Sequence, residues 1–174
     1  MRCPVCGARM IKRSATAKNP YRYTLSGLPN VFLVGITVDR CVTCNSDTPT
    51  IPMVGDLHRA IAEAITKKPA PLSGAEIRFL RKNIGISAKD FASVLGITPE
   101  TMSRFETGAQ APGNSIDRFL RLISGKATGC EPTREVILGL AKLPKGRATR
   151  SPRTPRVCKF ELVNDKGWKP AAAA

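Results

Sequence analysis

The chain has 174 residues, of which 28 are Lys or Arg and 13 are Asp or Glu, for a net charge of +15. An excess that large suits a polyanionic partner, nucleic acid first, and says little about fold; charge serving solubility alone is the plainer alternative. No apolar run approaches the roughly 18 residues of a membrane span, and Met1 to Cys6 lacks the apolar stretch of a secretory signal, so a cytoplasmic protein is expected, nucleoid-associated when bound to DNA.

Residues 1–51 read as a small β-rich domain. Cys3 and Cys6 form one CxxC motif and Cys41 and Cys44 another. Paired motifs of this kind, in a chain without a signal peptide, point to metal ligands in a reducing compartment. Redox pairs or free thiols are the alternatives. Between the pairs, Tyr21–Leu25 and Val31–Ile36 carry aromatic and β-branched residues, with Ser26–Asn30 as the turn. A hairpin there is expected to bring the cysteines together. A patch of strands this small has too little core to be stable alone. Structural zinc contributes roughly 10–16 kcal/mol of apparent folding free energy in finger-sized units. Zn²⁺ takes four sulfurs tetrahedrally, which leaves no open position for catalysis. Gly7 and Asn45, each directly after a cysteine, tolerate the positive φ that a tight turn under a metal needs. One structural Zn²⁺ per chain is therefore expected, held by Cys3, Cys6, Cys41 and Cys44. Cys130 and Cys158 read as ordinary thiols.

Residues 52–71 read as a helix and a linker. Leu57, Ile61 and Ile65 recur every four residues over 56–67, with Asp56 as the cap, and Lys67–Pro71 breaks the pattern. His58, the only histidine, is expected on the surface of that helix and not at the metal.

Residues 72–143 read as an all-α domain of about five helices. Ser73-Gly74-Ala75-Glu76 is a capping box, with Leu72 and Ile77 as its hydrophobic staple. The first helix of the domain runs to about Asn83, and Gly85 ends it. Ser87 caps the second, Ile86 and Phe91 staple it, and Gly96 ends it. Thr98 caps the third, Pro99 takes its first helical position, where the missing N–H does no harm, and Gly108 ends it. A fourth helix is predicted over Ser115–Ile123, with Ile116, Phe119, Leu120 and Ile123 as its apolar stripe and Gly125 as its stop. A fifth is predicted over 132–143.

The third of these helices has the form of a major-groove reader. Met102 and Phe105 fall on one side and pack inward, while Glu100, Thr101 and Arg104 point outward. Arg104 is the foremost base contact, because a guanidinium spans O6 and N7 of guanine with two parallel hydrogen bonds. Thr101 meets a thymine methyl or a phosphate. Glu100 either accepts from cytosine N4 or stabilises the helix start and touches no base. Ser87, Lys89, Ser103, Thr107 and Arg78 are candidate phosphate contacts that set register without reading sequence. Arg81 and Lys82 are placed with Arg78 in that role.

Residues 144–174 read as a basic, largely disordered tail, since Lys145, Arg147, Arg150, Arg153 and Arg156 are spaced along Pro-, Ser- and Thr-bearing sequence with no acid among them. The fold class is therefore α+β: a zinc-binding β domain, a helix-turn-helix domain and a tail. An enzyme is not expected. One histidine, a saturated Cys₄ site and the absence of a nucleophile–base set or of the His-x-Glu deaminase signature argue against it. RNA binding through the tail and zinc domain is a further alternative.

Cys-Pro-Val-Cys, a Tyr-x-Tyr-Thr strand, Cys-Val-Thr-Cys and Ala-Ser-Val-Leu-Gly-Ile-Thr-Pro-Glu-Thr-Met-Ser-Arg-Phe-Glu-Thr-Gly together resemble the MqsA/YgiT family over roughly residues 1–124. That family joins a zinc-binding domain to an XRE-type helix-turn-helix. The resemblance implies Cys3, Cys6, Cys41 and Cys44 as zinc ligands and Arg104 as the base-reading arginine. It also implies a homodimeric repressor that binds double-stranded DNA; no membrane partner is expected, since no apolar run is long enough. Some members are antitoxins that bind an mRNA-cleaving toxin through the zinc domain and autoregulate their operon. Better-known members carry Asn where this chain has Glu100. On charge and tail length the residues favour a stand-alone dimeric repressor reading a palindromic operator through helix 98–107, with the antitoxin as the alternative.

Overall fold

The computed structural model describes residues 1–127, 129, 157–163 and 167–171. These form seven strands, five α-helices and one 3-10 turn, divided between two compact units whose boundary falls at 57/58. The class is α+β, as the sequence implies. No helix among the described residues is long and apolar enough to cross a membrane.

The first unit holds all seven strands. β1 (Met10–Ser14), β4 (Thr37–Cys41) and β5 (Asp47–Thr50) form an antiparallel sheet in the order β1-β4-β5, with Met10 opposite Cys41 and Ser14 opposite Thr37. β2 (Tyr21–Arg22) and β3 (Val31–Val34) belong to a second sheet, in which β6 (Cys158–Leu162) and β7 (Trp168–Pro170) complete the order β2-β3-β6-β7. Val31, Leu33, Val38, Leu57 and Phe160 are among its most buried residues.

Two expectations are corrected here. The hairpin over 21–36 forms only as the short β2–β3 pair, because Thr24–Ser26 turns into a 3-10 helix and leaves Leu25 exposed. Pairing of β1 with β4 is what joins the cysteines instead. That pairing was obscured by Lys12 and Arg13, which break an apolar alternation in β1. Second, the segment after 144, expected to be a basic and largely disordered tail, carries ordered strands at Cys158–Leu162 and Trp168–Pro170. Its described part folds as β6 and β7, because Phe160 and Trp168 are buried in the first unit and the Trp168 indole N–H donates to the Pro52 carbonyl at 3.0 Å. Cys158 lies half-buried in β6, with the Asn30 side chain 3.9 Å from its sulfur, while Cys130 and the helix expected over 132–143 lie outside the described residues.

α1 (Val54–Lys67) crosses the boundary, and from His58 onward it belongs to the second unit with α2 (Gly74–Ile84), α3 (Ala88–Val94), α4 (Pro99–Thr107) and α5 (Asn114–Ala127). α1 starts two residues before Asp56, which therefore sits in its first turn and does not cap it. Caps for the next three helices follow the sequence. Ser73 accepts from the Glu76 N–H and Glu76 returns the bond to Ser73, Ser87 accepts from Asp90, and Thr98 accepts from Thr101. Such a cap contributes about 1 kcal/mol. Their inner faces supply Ile77, Leu80, Phe91, Met102 and Phe105 to the core. His58 is half-buried, edge-on to the Phe79 ring at 5.7 Å, and that burial holds its imidazole below the usual value, which corrects its expected surface position.

α5 departs furthest from its predicted form. It continues through Gly125 to Ala127. Its inward face is Asp117, Leu120, Arg121 and Ser124, and Phe119, expected in the apolar stripe, is 45% exposed. The reason is a buried ion pair. Arg121 Nε donates to Asp117 Oδ1 at 2.6 Å, and its other nitrogens donate to the carbonyls of Thr66, Lys68 and Ala70 at 3.0, 2.7 and 2.6 Å. Asp117 Oδ2 accepts from the Leu72 N–H at 2.7 Å. The segment that reads as a loose linker is thus stitched to α5, since carbonyls at a helix end need donors and a guanidinium presents five.

Candidate metal centre and nucleic-acid interface

The four predicted cysteines converge in the first unit. Cys41 ends β4 and Cys44 follows in the next turn, while Cys3 and Cys6 lie on the loop that enters β1. The Sγ atoms of Cys3 and Cys44 are 3.6 Å apart, those of Cys6 and Cys41 3.4 Å, and those of Cys6 and Cys44 3.6 Å. All four sulfurs lie within 4.8 Å of one another. Metal–sulfur bonds of about 2.3 Å at tetrahedral angles put sulfurs about 3.8 Å apart, so the set fits one ion. The two motifs are built alike. The Val5 N–H donates to Cys3 Sγ and the Thr43 N–H to Cys41 Sγ, each at 3.4 Å. Gly7 and Asn45 adopt φ of 72° and 57°, the left-handed turns expected of them. Cys3 and Cys41 are buried and pack with Met10 and Ala8, whereas Cys6 and Cys44 face solvent.

Sequence reasoning missed Ser46. Its hydroxyl lies 3.2 Å from Cys3 Sγ and 3.2 Å from Cys44 Sγ. That hydroxyl and the Cys6 N–H pull the Cys3 thiol down to about 6, and Ser46 likewise lowers Cys44 through its side chain and its backbone. Cys6 moves the other way. The Ala8 N–H lowers it, but hydrogen bonds with the Cys41 and Cys44 thiols outweigh this and push it up to about 12. Lowered Cys3 and Cys44 thiols beside a raised Cys6 suit a site in which a bound cation would take all four sulfurs as thiolates. Ser46→Ala is expected to weaken metal binding roughly tenfold, the low end for losing a hydrogen bond to a ligand. Competition against a chromophoric chelator measures it; unchanged affinity removes Ser46 from the site. No spacing rule marks Ser46, although a hydroxyl two residues after a ligand cysteine is the available hint.

In the second unit α4 packs against both α2 and α3. Met102 and Phe105 are buried at its inner face. Glu100 and Arg104 are exposed and Thr101 half-buried, so these groups share the accessible side. The Thr101 hydroxyl sits 3.1 Å from that of Thr98, within the cap. The Glu100 carboxyl is held below its ordinary range by its own backbone N–H and the Thr98 side chain, with a smaller push from the Arg104 charge. Ser103, Lys89, Ser87 and Thr107 are exposed. Two of those hydroxyls are already engaged: Ser87 donates to Asp90 Oδ2 at 2.6 Å, and Thr107 to the Ser103 carbonyl at 2.9 Å.

The three basic residues grouped on α2 separate. Arg78 is exposed, 4.0 Å from Glu106, and Lys82 is exposed. Arg81 is not a surface contact. Its side chain is 11% exposed, its Nε donates to Glu106 Oε1 at 2.5 Å and its Nη2 to Oε2 at 3.1 Å, and its Nη1 reaches the Ile86 carbonyl at 2.8 Å. This two-pronged pair ties α4 to α2 and fixes the angle at which the accessible face is presented. Gly74 sets the closeness of the same approach. A Cβ there would stand 2.5 Å from the Phe105 carbonyl oxygen and 2.6 Å from that of Glu106, so no side chain fits without parting the helices. Nothing in the sequence pattern joins Arg81 to Glu106, because the two lie on different helices.

Residues 1–128 match the family model described as the antitoxin component of a bacterial toxin-antitoxin system, MqsA. A comparison with curated proteins finds no match.

Proposed function

The chain belongs to the MqsA antitoxin family, and on that premise we propose that it is an antitoxin that is also a sequence-specific DNA-binding repressor. In this reading the first unit binds one structural Zn²⁺ and a cognate toxin, and α4 enters the major groove of double-stranded DNA. The family favours the antitoxin over the stand-alone regulator that charge and length put first. A homodimer on a palindromic operator follows from the weak affinity of one helix-turn-helix module and the two-fold symmetry such proteins exploit.

The observation that carries the DNA-binding half is the accessible Glu100–Thr101–Arg104 face, borne by a helix whose opposite side is buried and whose ends are capped. Arg104 is assigned the guanine, Thr101 a thymine methyl or phosphate, and Glu100 the helix start. Arg78, Lys89, Ser103 and, with its hydroxyl redirected, Ser87 or Thr107 are assigned to phosphates. The net charge of +15 supports a polyanion. Zinc is assigned to the cysteines because it takes four thiolates tetrahedrally and the four sulfurs lie within 4.8 Å of one another.

In vitro site selection with the intact protein tests the operator, its symmetry and the dimer together. Arg104→Ala is expected to cost about 1–3 kcal/mol of discrimination at one base position of each half-site while metal content is unchanged. Equal discrimination by the variant overturns the assignment of that arginine. For the antitoxin half, the product of an adjacent gene should be toxic alone and co-purify with this chain. If it neither poisons cells nor binds, the stand-alone repressor replaces the antitoxin.

A further inference from the structure

We propose that β3 is a strand-acceptor edge whose resident ligand is the chain's own β6–β7 hairpin (strands Cys158–Leu162 and Trp168–Pro170), bound firmly enough to stay in place when the connection between hairpin and core is cut. β6 runs parallel to β3 in unbroken register, from Val31 opposite Cys158 to Val34 opposite Glu161, although all of the second unit intervenes in sequence. The ladder extends at its Cys158 end, where the Cys158 N–H donates to the Asn30 carbonyl at 2.9 Å. At the same end the β6–β7 pair continues, with the Ala171 N–H donating to the Lys159 carbonyl at 2.8 Å. β7 covers the far side of β6 antiparallel, with Leu162 opposite Trp168.

The side chains make this more than backbone pairing. Phe160 is 1% exposed and Trp168 6% exposed, against Val31 at 2% and Leu33 at 0%. The Leu162 carbonyl passes so near Gly35 that a Cβ there would sit 3.3 Å from it. Without the hairpin, β3 would present unpaired N–H and C=O groups beside apolar side chains, an edge that recruits other strands. Strand addition of this kind takes its affinity from main-chain bonds and its selectivity from alternate side chains. Here the selective features are an aromatic residue at the Phe160 position and an indole donor that reaches Pro52. The family match ends at residue 128. The hairpin is therefore an element this chain adds to the matched segment, and it converts the second unit into an insertion within the first.

The test uses full-length protein with a specific protease sequence placed between residues 140 and 150. After cleavage the two pieces are expected to run as one species of the intact mass in native mass spectrometry. Emission from Trp168, the single tryptophan, should stay that of a buried indole. An isotope-labelled peptide of residues 157–171 should exchange into the nicked protein and not into the uncut chain. In the nicked protein Phe160→Asp is expected to weaken retention on the order of a hundredfold or more. Because that variant risks misfolding before cleavage, Phe160→Leu is the companion, with weaker retention at unchanged metal content. Separation of the pieces while the larger one keeps its metal and its β3 amide protection overturns the proposal. So does a species of twice the mass, which would assign the acceptor edge to a hairpin from a second copy.

Discussion

Stripping the metal with a chelator, or replacing Cys41 by Ser, is expected to unfold the β1-β4-β5 sheet and free the Trp168 indole while α2–α5 stay folded. The β1-β4 end of the first unit has little else to hold it. Its buried cluster is Cys3, Met10 and Cys41 with Ala8 packed alongside. A structural ion contributes roughly 10–16 kcal/mol of apparent folding free energy in small units. A whole domain is stable by only about 5–15 kcal/mol. The metal term is therefore as large as the total, and the packing of Met10 and Ala8 against the two buried cysteines does not replace it. Cys41 is fully buried, so its loss removes a ligand and leaves a polar hydroxyl in the gap. The readouts separate the units, because tryptophan emission reports on the first and far-UV circular dichroism is dominated by the helices of the second. Emission and β1/β4 amide protection that survive complete metal removal would show that the ion is not structural.

Asp117→Ala is expected to destabilise the second unit by about 3–5 kcal/mol, because it leaves a buried guanidinium without its counter-charge. The side chains of Arg121 and Asp117 are 1% and 4% exposed, so water cannot take over. The Leu72 N–H loses its acceptor at the same time. The double change Asp117→Leu with Arg121→Met should cost less than the sum of the two single changes, since neither charge is then left unpaired, though the carbonyls of Thr66, Lys68 and Ala70 remain without a donor. Chemical denaturation of the four proteins completes the cycle. Additive costs would mean that the two residues act independently and that the pair is not the fastening of the 66–72 segment.

The two sites were legible in the sequence to different degrees. The metal site could be read because its chemistry is written in the spacing of four residues of one type, and only their number and placement matter. The helix over 99–107 could be read because Thr98, Pro99 and Gly108 act within a few residues of where they stand, and local rules suffice for local effects. Ser46 escaped because a serine beside cysteines has many other uses. Arg81 escaped for a different reason. On a helix it looks like Arg78 three residues earlier, and only the position of Glu106 on another helix turns one into a clamp while the other stays in solvent.

Short-range chemistry in the chain itself therefore determined the α+β class, the four-cysteine cluster, three capped helices and the two-sided character of α4. Tertiary structure alone decided the rest: that the β1–β4 pair and not the hairpin over 21–36 joins the cysteines, that α5 turns Arg121 inward and Phe119 outward, and that the strands after residue 157 rejoin the first unit. Each of those outcomes depends on a partner distant in sequence. The energy of a buried charge, or of a strand edge, is set by what lies across from it and not by its neighbours along the chain.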